Sequence, residues 1–229
     1  MKTIVIAGGL LASAALLTGC GLKSIGGPTN QDTVTYQVTE KVAALHLRSG
    51  AGDIAVTEYN GSSVRVVETL QWRNDKPKTW HKVDGDTLSM SYDCEASWGS
   101  CGVDYKVEVP KGVQVKVDTG SGDITLRSLT GPVEVETGSG DVDGSGLGGT
   151  KILAKSGSGG VELKCVAVPD SAELRSGSGD VVLHVPQGTY DVDARAGAGD
   201  ETVSVKTDSA SPHKLTLNAG SGDVSVLPG

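Results

Sequence analysis

The sequence predicts an all-β chain wound as a β-solenoid, with rungs of roughly 20 residues and a β-rich cap toward its N-terminus. Three observations lead there. A [Ser/Thr/Ala]-Gly-x-Gly-Asp motif recurs along the chain. Apolar and polar residues alternate on both sides of each copy. Glycine is abundant (33), phenylalanine is absent, and helix signals are nearly absent after residue 30. Val, Ile, Leu and Ala suit the narrow stacked layers of a thin solenoid.

The copies read Ser49-Gly50-Ala51-Gly52-Asp53, Thr119-Gly120-Ser121-Gly122-Asp123, Thr137-Gly138-Ser139-Gly140-Asp141, Ser176-Gly177-Ser178-Gly179-Asp180, Ala196-Gly197-Ala198-Gly199-Asp200 and Ala219-Gly220-Ser221-Gly222-Asp223. A seventh, Ser156-Gly157-Ser158-Gly159, has Gly160 in place of Asp. From residue 123 onward the steps are 18, 19, 20, 20 and 23 residues. Before the motifs, pairs such as Val115 and Val117, Ile152 and Ala154, and Leu215 and Leu217 share one parity; after them, Ile124 and Leu126, Val161 and Leu163, and Val181 and Leu183 do the same. Period two predicts strands with one face buried. The Ser/Thr/Ala that opens each motif has the inward parity. Both glycines are expected to supply the positive φ of a sharp corner, and the Asp to bond nearby backbone N–H groups. Outward charges such as Asp118, Glu136, Lys155, Arg175 and Arg195 read as a solvated face with some pairing between rungs. Glu201 falls where Ile124 and Val181 are apolar, which predicts a bulge or splayed corner.

Between Asp53 and Asp123 the period fails. All three tryptophans (Trp72, Trp80, Trp98) lie in this stretch, with Tyr59, Tyr92 and Tyr105. Alternation persists at Val64 and Val66, at Leu88, Met90 and Tyr92, and from Val103 to Val109, with turns at Asn60-Gly61 and Asp84-Gly85. Two roles fit: a cap over the first rung, or a recognition surface built on Trp72, Trp80 and Trp98. Trp72 shares parity with Leu70 and is expected to pack inward. Trp80, beside Lys78 and His81, is expected to be exposed. Cys94 and Cys101, seven apart around Trp98, are expected to form a disulfide outside the cytoplasm. Cys165 has inward parity and reads as a buried apolar residue.

At the N-terminus, Lys2 precedes an apolar run from Thr3 to Leu17, too short to span a membrane comfortably. It ends in Leu17-Thr18-Gly19-Cys20, which resembles the lipobox of bacterial lipoproteins. That resemblance implies cleavage before Cys20 and diacylglycerol on its sulfur, with further acylation such as palmitate. Residues 1–19 are then a signal peptide, and 20–31 a lipidated Cys with a flexible tether. Residues 32–110 hold the first rung plus the insert, and 111–229 the repeats. The expected location is extracytoplasmic, lipid-anchored to a bacterial cell membrane or cell surface.

The segment Val109-Pro110-Lys111-Gly112-Val113 leading into Thr119-Gly120-Ser121-Gly122-Asp123-Ile124, the repeated Ser-Gly-Ser-Gly-Asp, and Val185-Pro186-Gln187-Gly188 resemble the DUF4097 family of candidate adhesins over about residues 40–229. The resemblance implies a right-handed β-solenoid in a cell-envelope setting, with no established catalytic residues.

A net charge of −8, without clustered basic residues, argues against nucleic acid. No Gly-x-Ser-x-Gly elbow occurs, and His46, His81, His184 and His213 lack ligand spacing. No cofactor or metal is expected. The leading function is a lipid-anchored surface scaffold binding an envelope or extracellular protein or glycan. One alternative is a carbohydrate-active β-helix enzyme using stacked Asp residues. The other is a calcium-binding β-roll, from which this motif departs in period and in Asp placement.

Overall fold

The structure is a computed structural model, and it describes residues 30–95 and 100–229. The leader, Cys20 and the tether before Asn30, and Trp98 within the insert, lie outside the described residues. In chain order the strands are β1 (Asn30–Val38), β2 (Ala44–Ala51), β3 (Ile54–Glu58), β4 (Val64–Trp72), β5 (Lys78–Asp84), β6 (Thr87–Asp93), β7 (Cys101–Val109), β8 (Gln114–Ser121), β9 (Ile124–Arg127) and β10 (Val133–Ser139). They continue as β11 (Val142–Leu147), β12 (Lys151–Ser158), β13 (Val161–Cys165), β14 (Ser171–Ser178), β15 (Val181–Val185), β16 (Thr189–Ala196), β17 (Glu201–Val203), β18 (Lys206–Thr207), β19 (Lys214–Ser221) and β20 (Val224–Pro228). No helix occurs among the described residues.

The chain forms two ten-stranded sheets, neither closed into a barrel. One runs β1-β4-β7-β3-β9-β11-β13-β15-β20-β17; the other runs β18-β16-β19-β14-β12-β10-β8-β2-β6-β5. Each motif is the corner between a strand of one sheet and a strand of the other. Like positions stack in parallel register: Val133 lies between Val115 and Ile152, and Val161 between Val142 and Val181. The inward columns are buried from Leu45 to Val226. Fully burying one such Val or Leu stabilises by roughly 1.5–3 kcal/mol, so the stack rests on repetition of small contributions.

Two features depart from a serial stack. The first motif, on β2–β3, sits directly against β8–β9, with Leu45 beside Val115 and Ile54 beside Ile124. The insert leaves this junction and builds outward: β7, β4 and β1 extend one sheet beyond β3, and β6 and β5 extend the other beyond β2. The outermost pairings there are antiparallel.

The second departure is at the other end. β19–β20 slots between β14–β15 and β16–β17, so the spatial order of the last corners is 180, 223, 200. The side chains explain it. Leu215, Leu217, Val224 and Val226 can fill a core layer and are fully buried. The β16–β17 unit offers Ala194, Ala196, Glu201 and Val203, which cannot, and it takes the outer place. Glu201 therefore needs no bulge: β17 runs in register with β20, Glu201 beside Val224, and stays exposed because it is the end layer. The register break falls instead in β11, between Gly144 and Leu147, where Leu147 fills the column that Gly144 leaves empty.

Candidate functional site

The corners come first, because they carry the recurrent Asp. The second glycine of each of the six complete motifs has left-handed φ: +133° at Gly122 and +143° at Gly179, with Gly52, Gly140, Gly199 and Gly222 in the same region. A Cβ at Gly179 would also lie 2.5 Å from the Gly159 carbonyl oxygen. The first glycine does not share this conformation, contrary to the expectation that both supply positive φ. It is small because the layers touch there: a Cβ at Gly120 would meet the Gly50 carbonyl oxygen at 2.6 Å, and one at Gly177 the Gly157 oxygen at 2.5 Å.

The Asp side chains form a ladder between layers. Asp53 Oδ1 accepts the Asp123 N–H at 3.0 Å, Asp123 Oδ1 accepts that of Asp141 at 2.9 Å, and Asp141 Oδ1 accepts that of Gly160 at 2.7 Å. Beyond the gap at Gly160, Asp180 accepts from Asp223 at 2.8 Å, and Asp223 from Asp200 at 2.9 Å. Alongside runs a row of buried hydroxyls. Thr137 donates to the Gly122 carbonyl at 3.1 Å, Ser156 to Gly140 at 2.8 Å and Ser176 to Gly159 at 2.7 Å. Buried polar groups demand such partners, and these rows supply them.

The ladder also reaches into the insert, where Asp104 Oδ1 accepts the Asp53 N–H at 3.0 Å and Asp104 Oδ2 accepts from Gln71. Sequence reasoning missed Asp104 because Gly102-Val103-Asp104 lacks the second glycine of the motif. It also missed Glu68, which shares the inward parity of Val64, Val66 and Leu70. Glu68 is 1% exposed, and its Oε1 accepts from Tyr36 Oη at 2.7 Å. Burial, aided by this carboxylate, pushes the Tyr36 phenol well above its usual range.

At the Gly160 gap, Asp141, Asp143, Glu162 and Asp180 border a depression of about 290 Å³. Asp143 is paired with Arg127, and Glu162 with Lys164 at 2.9 Å. Among the described residues, no group of three or more His, Cys, Asp or Glu is arranged to hold a metal ion. The corner carboxylates each direct an oxygen at the next layer's backbone. This is the use expected of an Asp at a glycine turn.

The insert holds the distinctive side chains. Trp72 is half-buried against the core, with Lys76 Nζ 5.5 Å from its ring centroid. Trp80 is 47% exposed on the edge strand β5, and Lys78 and Lys82 share its parity there. Trp72 and Trp80 belong to different sheets. The Cys94–Cys101 disulfide is present, and beside it Gln71, Cys101, Gly102 and Asp104 help line a cleft of about 360 Å³. Cys165 is buried and its thiol is pushed up to about 11 by desolvation, which suits an inert core residue. Outward charges pair between layers, as Lys116 with Glu134 at 2.5 Å and His46 with Asp118 at 3.3 Å.

Stacked corners, parallel registers and an antiparallel cap define an all-β, solenoid-like repeat protein. More particularly, the model of the Toastrack DUF4097 family matches residues 41–227, and the chain belongs to that family. No curated protein matches it. A candidate cell adhesion protein from Clostridium sporogenes has a similar solved structure: TM-score 0.51 at 11% identity, covering 87% of this chain and 99% of that one. A candidate adhesin from Bacteroides fragilis gives a TM-score of 0.45 at 18% identity, covering 89% and 99%. At these identities the likeness concerns fold alone.

Proposed function

We propose that this chain is a non-catalytic binding module of the bacterial cell envelope, tethered to a membrane by acyl chains on Cys20. One observation carries the non-catalytic part: the recurrent carboxylates hold one layer's backbone to the next. The contact surface is the insert, where Trp80 stands exposed and where Trp72 and Trp98 are further candidate anchors. The partner is an envelope or extracellular protein or glycan. The description of the Clostridium sporogenes relative as a candidate cell adhesion protein supports a binding role.

In this reading 1–19 is a signal peptide, 20–31 the lipidated Cys and tether, 32–110 the first rung with its cap, and 111–229 the repeats. The coil is right-handed, as parallel β crossovers almost always are. Its rungs are roughly 20 residues long, a length typical of stacked repeats. Several acyl chains would anchor it stably, since each buried CH₂ contributes about 0.8 kcal/mol.

Cys20→Ala tests the reading in two stages. The variant should leave the detergent phase of a membrane extract, and the released chain, added back to intact cells, should still sediment with them. A processed Cys20→Ala chain retained in membranes defeats the anchor. A released, folded chain that never sediments with cells defeats the binding role.

A further inference from the structure

At the β16–β17 end of the stack the inward side chains are not covered by a further full layer among the described residues. There Val192, Ala194 and Ala196 are only partly buried, and Val203 is 40% exposed where its register partner Val226 is fully buried. Among the described residues, the short β18 pairs with Thr189 and Tyr190, and Val205 before it packs against the core, while the rest of the β16 edge has no strand partner. The opposite end of the stack finishes in the antiparallel strands of the insert, with β1 and β5 outermost.

Glu201 stands in this open cross-section, in the column of Val224, Val181, Val161, Val142 and Ile124. Its Oε1 accepts the Ala196 N–H at 2.8 Å. That N–H points away from the body. Asp191 and Gly197 donate toward the β19 side, to His213 and Ala219, and alternate N–H groups of a strand face opposite ways. The carboxylate therefore occupies a donor that an added strand would use, and places a charge where an added layer would need an apolar residue.

We propose that the β16–β17 end is a self-association surface for a second copy of this chain, held apart by Glu201. A second copy is the occupant that fits. Its own end layer carries the same strands and the same partly buried Val192, Ala194 and Val203, and a two-fold apposition covers both sets at once. Joining two ends also buries two Glu201 carboxylates in an apolar layer, which is costly without a cation. The nearby cations do not supply one. Arg195 is bonded to Asp193 at 2.8 and 2.9 Å, and Lys206 sits beside Thr189, at the far end of β16 from Ala196. Inward-pointing charge on an edge strand is a known guard against edge-to-edge pairing. Because this end would meet the same end of the second copy, the contact is isologous, and the association released by removing the charge is a closed two-fold dimer and not a fibre.

Sedimentation equilibrium of the full chain in density-matched detergent tests this. Wild type is expected to be a single chain. Glu201→Val is expected to dimerise, with association about tenfold or more tighter than wild type. Glu201→Gln, which keeps an acceptor for Ala196 but loses the charge, should fall between. Val203→Glu added to Glu201→Val should restore the single chain. The proposal is overturned if folded Glu201→Val and Glu201→Gln both stay monomeric over a hundredfold range of concentration. Open-ended assembly, a dimer that survives Val203→Glu, or a wild-type dimer joined through this end overturns it equally.

Discussion

Asp141 Oδ1 accepts the backbone N–H of Gly160 at 2.7 Å, but Gly160 has no carboxylate to offer Asp180 in the following layer. The ladder breaks there and resumes at Asp180. A Cβ at Gly160 would lie 3.4 Å from the Asp180 carbonyl oxygen, a contact that small adjustment accommodates, and its φ is not left-handed. Gly160→Asp is therefore expected to complete the ladder. The gain is about 1 kcal/mol from the hydrogen bond and the lost flexibility of the unfolded chain, less some repulsion from Asp141 and Asp180. Thermal unfolding at physiological salt should show a rise of a few degrees; a fall would mean that the ladder is not stabilising.

Gly179 and its neighbour Ser178 provide an internal comparison. Gly179→Ala forces a side chain into left-handed backbone and against the Gly159 carbonyl, a loss of about 1 kcal/mol or more. Ser178 is exposed, so Ser178→Ala should change little. Equal shifts in the melting midpoint would refute the corner geometry.

Glu58 closes the junction between the insert and the repeats. Its partial burial opposes ionisation. Hydrogen bonds from Thr130 Oγ1 at 2.5 Å, Thr130 N–H at 2.9 Å and Gly112 N–H at 3.1 Å outweigh that and hold the carboxyl below its ordinary range. With the folded value lowered, its contribution is complete above the unfolded value of about 4.3 and is lost as pH falls through the folded value. The urea midpoints of wild type and Glu58→Gln should differ at neutral pH and converge on acidification. A gap that stays constant down to about pH 3 would contradict this.

The stack was legible because its chemistry repeats. Parity placed Val115, Val133 and Ile152 in one buried column, and the glycine-Asp corner implied a carboxylate bonding backbone. Family and fold class followed from the same residues, and the exposure of Trp80 from its place beside Lys78 and His81. What stayed hidden depends on comparison between distant segments. The swap of β16–β17 with β19–β20 is a contest over which unit fills a layer better, won by Leu215 and Leu217 over Ala194 and Ala196. Glu201 marked the loser, but its meaning appears only once β17 is known to be outermost. The first glycine of each motif was assigned to the turn because spacing along one layer says nothing of a carbonyl in the next. Asp104 and Glu68 escaped notice for a similar reason: their partners, Asp53 and Tyr36, lie far away in sequence.

In the proposed function, recognition resides in the insert and not in the repeats. The most direct measurement is binding to intact envelopes in the Cys20→Ala background, so that the anchor contributes nothing, with thermal unfolding alongside. Trp80→Ala is expected to weaken binding by about 1 kcal/mol or more, roughly fivefold, with the melting midpoint unchanged. Lys155→Ala with Arg175→Ala, on the outer face of the repeats, should bind as before. Undiminished binding by Trp80→Ala, or its loss in the repeat-face variant, would contradict the claim and place the contact surface on the solenoid.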